Sequence, residues 1–212
     1  MNKNIERGQA TRAHLIEVAT RLFATRGYDD TSIEAVLAET GVSRGSLYHH
    51  FPGKEALFRA VMDAEGARLG AQMAAAIQGA ADQIEMLRIG CITWIRQAGD
   101  PVVQQIMLID APAVLGWQRW RELDEPALGM IRNALGYAAQ AGAVDSRHVD
   151  VFAHIVMATL NEVAMMIALA SDSAAALEAG ESAVAEFLDR LLGGLGSASH
   201  QGPAGRQGPA SQ

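Results

Sequence analysis

The chain has 212 residues, half of them hydrophobic but only 5% aromatic, and a formal net charge of −7. That length allows one or two domains with a sizeable core of Ala, Leu, Ile, Val and Met, and a disulfide framework is excluded because Cys91 stands alone. A polar start from Met1 to Ala10, and no uncharged apolar run of the ~18 residues a bilayer span needs, argue against secretion and against a membrane partner, so the reducing cytoplasm is the expected location.

The first helix is predicted over Arg7 to Arg26, where Leu15, Val18, Ala19, Leu22 and Phe23 recur at helical spacing and Gly27 follows as a C-cap. Thr31 and Glu34 then form a capping-box pattern ahead of Val36 and Leu37. Gly41 supplies a tight turn, where glycine tolerates a left-handed backbone. Ser43 caps a second short helix, Arg44 to His50, which Pro52 stops, and another helix opens at Lys54 and is expected to reach Gln78. Two helices around a short Gly-containing turn make a helix-turn-helix, whose second helix lies in the DNA major groove.

The residue types of that second helix suit the task. Arg44 is a bidentate donor able to read guanine O6 and N7, and Gly45 and Ser46 are small enough for backbone to approach base edges. Leu47 pins the helix to its own domain. Tyr48 and His49 can donate to phosphates, and Lys54 adds an ammonium in the first turn of the next helix, where free N–H groups also favour anions.

From about Ala10 to Phe58 the chain resembles the DNA-binding domain of the tetracycline-repressor (TetR) family of bacterial transcriptional regulators. The matching pieces are Leu22-Phe23-Ala24 with Gly27-Tyr28, Thr31-Ser32, the run Gly41 to Tyr48, His50-Phe51, and Lys54-Glu55-Ala56-Leu57. Leu37 and Thr40 depart from the family pattern, where alanine is commoner. The resemblance implies phosphate contacts from Thr31, Tyr48, His49 and Lys54, and base-facing positions at Arg44, Gly45 and Ser46, with Ser43 at the helix cap. It also implies a homodimer on a palindromic double-stranded DNA operator and release by a small-molecule effector.

The acidic net charge fits a DNA binder once it is divided. Residues 1–62 hold eight Lys/Arg and seven Asp/Glu, a net of +1, so residues 63–212 carry −8. A head at +1 is weakly cationic, and doubling it by dimerisation would add phosphate contacts.

Beyond the head the pattern stays helical: about Ala81 to Gln97, Pro101 to Asp110, Leu115 to Asp124, Pro126 to Ala141, His148 to Ala170 and Ala174 to Leu192. Breaks are expected at Gly99-Asp100-Pro101, Ala111-Pro112, Gly142 and Ser171-Asp172-Ser173. No run alternates with period two for long enough to make a strand. The fold class is therefore all-α: a three-helix helix-turn-helix domain (1–62), a helical effector-binding and dimerisation domain (63–192), and a tail rich in Gly, Ser, Ala, Pro and Gln (193–212) expected to be disordered.

An effector pocket between body helices is expected to draw on Trp94, Met107, Trp117, Trp120, Met130 and Tyr137, with polarity from His154 and Asn161 on the face that also carries Asp150. The bland alternative for each aromatic or Met is ordinary core. The last two helices, paired with their symmetry mates, would make a four-helix bundle.

Catalysis has little to stand on. Cys91 lacks a partner thiol, Asp150 and His154 make at most half a metal site, and there is no Gly-rich phosphate loop or nucleophile elbow. No enzyme, cofactor or metal is expected. The competing class is a constitutive DNA-binding or protein-interaction module, which a solid body without a cavity would favour.

Overall fold

The computed structural model describes residues 3–192, which form helices and connecting turns without strands. The predicted tail, 193–212, lies outside the described residues. In the N-terminal part, α1 (Lys3–Arg26) packs against α2 (Ile33–Thr40), α3 (Arg44–His50) and α4 (Lys54–Ile77). Leu15, Val18, Ala19, Leu22 and Phe23 are all buried, as their spacing predicts. They meet Val36 and Leu47 from the short helices and Leu57, Phe58 and Val61 from α4. Each fully buried large side chain stabilises by roughly 1.5–3 kcal/mol. Phe23, Tyr28 and Phe58 form an aromatic trio, with Phe23 and Phe58 edge to face at 5.1 Å.

The capping expectation at α2 is corrected by one residue. Ser32 is the N-cap, and its hydroxyl accepts from the Ala35 N–H at 3.1 Å. Thr31 is instead fully buried, donating to the Gly27 carbonyl at 2.8 Å. At the other end Gly41 has φ +66°, the left-handed cap the turn requires. Ser43 caps α3 as expected, accepting from the Ser46 N–H.

The body is built on α5 (Gln83–Gln97), α9 (Glu125–Gln140), α10 (Val149–Leu169) and α11 (Ser173–Leu192), which pack on one another around Ile95, Leu135, Val156, Ile167, Val184 and Leu188. The helical stretch Ser146–Leu169 contains an 18-residue window with a mean hydropathy of 1.7, enough by length and composition to span a membrane, although Glu162 interrupts it and no uncharged run of that length is present. Here it buries Ala153, Val156, Met157, Leu160, Ala164 and Ile167 against its neighbours. α4 runs unbroken from the head to Ile77, and Arg68 on it bonds both Glu65 and Asp100, tying it to the start of the helical segment that opens at Pro101.

That segment departs most from expectation. α6 (Pro101–Val103) passes into a π-helix (Gln104–Asp110) and then into α7 (Ala111–Leu115), so no break falls at Ala111-Pro112. In a regular α-helix the Pro112 ring would press on the carbonyl four residues back. The wider turn, with the Ala111 N–H bonded to the Ile106 carbonyl five residues back, carries the chain past it. The break falls at Gly116, and α8 (Trp117–Glu122) follows. Ile106, Ala111 and Trp120 join the head's core, so this segment is shared between head and body.

Candidate functional site

The first candidate surface is the exposed side of α3. Leu47 is fully buried and fixes the helix, leaving Arg44, Gly45, Tyr48 and His49 exposed and Ser46 half-buried. The Arg44 guanidinium is already engaged, donating to Glu34 at 2.6 Å, and the Glu34 carboxyl is held below the usual range first by a bond from its own backbone N–H and then by Arg44. Both side chains are well exposed, so solvent screens the pair and DNA can replace it.

Of the expected phosphate ligands, Thr31 is placed otherwise and Lys54 is already engaged within the protein. Thr31 is withdrawn into the core, and the exposed hydroxyl at that turn is Ser32. Lys54 does open α4, but its ammonium lies 4.1 Å above the Tyr28 ring and donates to the carbonyls of Tyr28, at 2.7 Å, and Asp29. It therefore latches α4 to the loop after α1. Sequence reasoning could not foresee that commitment, because the Tyr28 loop lies 26 residues upstream.

The second candidate is a cavity of about 350 Å³ in the body, walled by α4, α5, the π-helix, α8, α9 and α10. Of the predicted pocket residues it includes Trp94, Met107, Trp120, Met130 and Asn161. It excludes three. Trp117 is 62% exposed, its ring 5.0 Å from that of Trp120. Tyr137 faces outward on α9. His154 is exposed and, like Asp150, turns to Arg132, which donates to Asp150 at 2.8 Å. Among the wall residues missed were Met73, Met86, Cys91, Asp124 and Met157. Cys91 is buried, and burial pushes its thiol up to about 12, so it is a neutral wall group. Asp124 accepts from the Asn161 Nδ2 at 2.9 Å, and burial raises its carboxyl above the usual range despite that bond.

The cavity and the head share the π-helix. Met107 and Leu108 line the cavity, and the Met107 carbonyl accepts from the Trp120 indole at 2.9 Å. Asp110, at the end of the same element, accepts the backbone N–H of Tyr28 at 2.8 Å and a bond from Gln105 at 3.0 Å. Burial raises the Asp110 carboxyl, although both bonds pull the other way. Gly27 turns beneath this contact with φ +79°, and a Cβ there would meet Gln105 Nε2 at 3.3 Å. Neither the π-helix nor the bond from Asp110 to Tyr28 leaves a signature in the sequence.

Comparison with known proteins agrees with this two-part arrangement. Residues 84–195 match the family described as "Tetracyclin repressor-like, C-terminal domain", and residues 15–61 match "Bacterial regulatory proteins, tetR family". The chain is 35% identical over 68 residues to the HTH-type transcriptional regulator AcrR of Shigella flexneri, covering 32% of each protein. It is 39% identical over 59 residues to the HTH-type transcriptional repressor AcnR of Corynebacterium efficiens, covering 28% of this chain and 31% of that one. These matches span about a third of the curated relatives' length. A TetR-family transcriptional regulator of Pectobacterium atrosepticum superposes with a TM-score of 0.73 at 29% identity, covering 90% of this chain and 97% of that one. The regulator FadR of Bacillus subtilis, crystallised with stearoyl-CoA, shares the fold at a TM-score of 0.68 and 19% identity, covering 83% of this chain and 96% of that one.

Proposed function

Since the chain belongs to the tetracycline-repressor family and is a DNA-binding transcriptional regulator rather than an enzyme, we propose that it is a homodimeric repressor that a small molecule releases from a palindromic operator. The observation that carries the ligand-responsive part is the shared π-helix: one side of it walls the cavity through Met107 and Leu108, and its end holds the head through Asp110. A ligand that displaces Met107 or Trp120 strains an element whose last carboxylate grips the loop between α1 and α2. Such a ligand must prefer the arrangement that does not bind DNA, and a tenfold loss of DNA affinity needs about 1.4 kcal/mol of that preference. The cavity also speaks against the constitutive module, for which a solid body was expected.

In the reading head, Arg44 is assigned to a base edge, with Gly45 and Ser46 allowing close approach. Tyr48, His49 and Ser32 are assigned to phosphates, with Ser43 holding the helix start. Selection of binding sites from a random duplex pool, with Arg44→Ala in parallel, tests this. The expected result is a two-fold-symmetric consensus in which Arg44→Ala relaxes one position per half-site at a cost of about 1–3 kcal/mol. An unchanged consensus in the variant would remove Arg44 from the base-reading role.

A further inference from the structure

Among the described residues lining the cavity, none is Lys, Arg or His, and Asp124 is the one carboxylate. The remaining wall is apolar or neutral. Met73, Met86, Met107 and Met157 offer polarisable, adaptable surface, and Trp94 and Trp120 add aromatic faces. An anionic ligand would have to shed its water here without meeting a cation, which costs far more than a neutral group's burial. A cation would meet the opposite case: a carboxylate for its charge and indole faces for the rest.

Asp124 is placed to serve. It stands at the start of α9, makes no side-chain cap bond there, and gives one oxygen, Oδ2, to Asn161. Its other oxygen has no hydrogen-bond partner among the described residues. Arg121 favours its charged form and Glu125 opposes it, the two acting with opposite sign, and no ion pair to Asp124 forms among the described residues. Arg121 does not line the cavity; it is exposed, its guanidinium 6.0 Å over the Trp117 ring.

We infer that the cavity selects a lipophilic cation, an apolar and preferably aromatic body bearing one ammonium group that pairs with Asp124 beside Asn161. The inference rests on the reading of this cavity as the effector site and adds the charge and shape of what fills it. A bound ammonium would leave Asp124 ionised and paired, and its body would press on Met107 and Trp120, the groups joined to the π-helix.

A series matched in shape and differing in charge tests this at neutral pH: para-tert-butylbenzylamine, the corresponding benzyl alcohol, and para-tert-butylbenzoate. Calorimetry on the full chain should find the amine at least about tenfold tighter than either of the others. Asp124→Asn should abolish that preference while leaving the alcohol's affinity unchanged, a split that a merely structural role for Asp124 would not produce. If the benzoate or the alcohol equals the amine, or if Asp124→Asn keeps the preference, the cation inference fails and the cavity remains an effector site. If none of the three binds the wild-type chain, the effector-site reading fails with it. Should Asp124→Asn not fold by thermal melt, the ranking on the wild-type chain decides alone.

Discussion

At the scale of single residues, two cationic groups in the head already have partners within the protein, which changes what substitutions there should do. Arg44 is pre-paired with Glu34, so operator binding exchanges one partner for another. Glu34→Gln should free the guanidinium and remove a negative charge from the DNA side. The expected outcome is tighter operator binding at low salt, with the gain shrinking as salt screens both effects, read by fluorescence anisotropy on a labelled duplex. Lys54 bonds two carbonyls, so Lys54→Met should cost about 1–2 kcal/mol of stability in a denaturant melt, whatever it does to DNA affinity. Thr31 and Ser32 illustrate how far the sequence could be read here. Either adjacent hydroxyl residue can cap a helix, and Thr31 has Glu34 three residues on where Ser32 has Ala35, so the pattern favours Thr31 and only the packing of α1 on α2 decides that it is the buried one.

Asp110 and Asp124 carry a second prediction at this scale. Burial is the leading cause of the raised carboxyl value in both. The folded state therefore holds these protons more tightly than the unfolded state. Their contribution is fully present below the ordinary carboxylate range and is lost as pH rises through the raised values. Asp124→Asn removes the penalty on the charged form while its side-chain oxygen can still accept from Asn161. The variant's melting temperature should exceed that of the wild type at neutral pH, and the difference should vanish as the pH falls into the ordinary carboxylate range. A difference that stays constant with pH would mean that Asp124 is solvated when folded.

Among the helices, closeness of approach sets the outcome of substitution. A Cβ at Gly180 on α11 would lie 2.9 Å from Val163 Cγ1 and 3.1 Å from Ile167 Cδ1 on α10. Val163 is β-branched and has little rotamer freedom with which to yield. Overpacking costs about 1–3 kcal/mol, against a helix-propensity gain of about 1 kcal/mol. Gly180→Ala should therefore destabilise by about 1 kcal/mol, whereas Gly66→Ala, at an exposed α4 position with nothing within 4 Å, should stabilise by up to about 1 kcal/mol. Denaturant melts of both variants check the pair. The contrast also marks what was legible. Periodicity located α1, α5, α9, α10 and α11 to within a few residues, because one apolar face repeats along each. Helical phase between elements was not legible: Trp120 and Trp117 are three apart on α8, yet one lines the cavity and the other faces solvent. The π-helix was invisible for a related reason, since Pro112 reads as a stop unless the preceding turn can widen.

For the whole molecule, one apolar face on α10 is left exposed among the described residues. Val151, Ile155, Met166 and Leu169 are 44–70% exposed and fall within about 60° of one another around the helix. A second copy laid on this stripe would bury it and would place two heads on one operator. The head needs that help, because its net charge of +1 supplies few phosphate contacts by itself. Ile155→Glu combined with Met166→Glu places two charges on the stripe without touching the cavity wall. Light scattering should then find a dimer for the wild-type chain and a monomer for the double variant, with helical circular dichroism retained. Operator affinity should fall by at least about a hundredfold, since the second half-site loses its tethered partner, and the salt dependence of binding should fall to about half its slope. A double variant that stays dimeric would move the interface off α10. One that becomes monomeric but keeps its operator affinity would mean that a single head suffices.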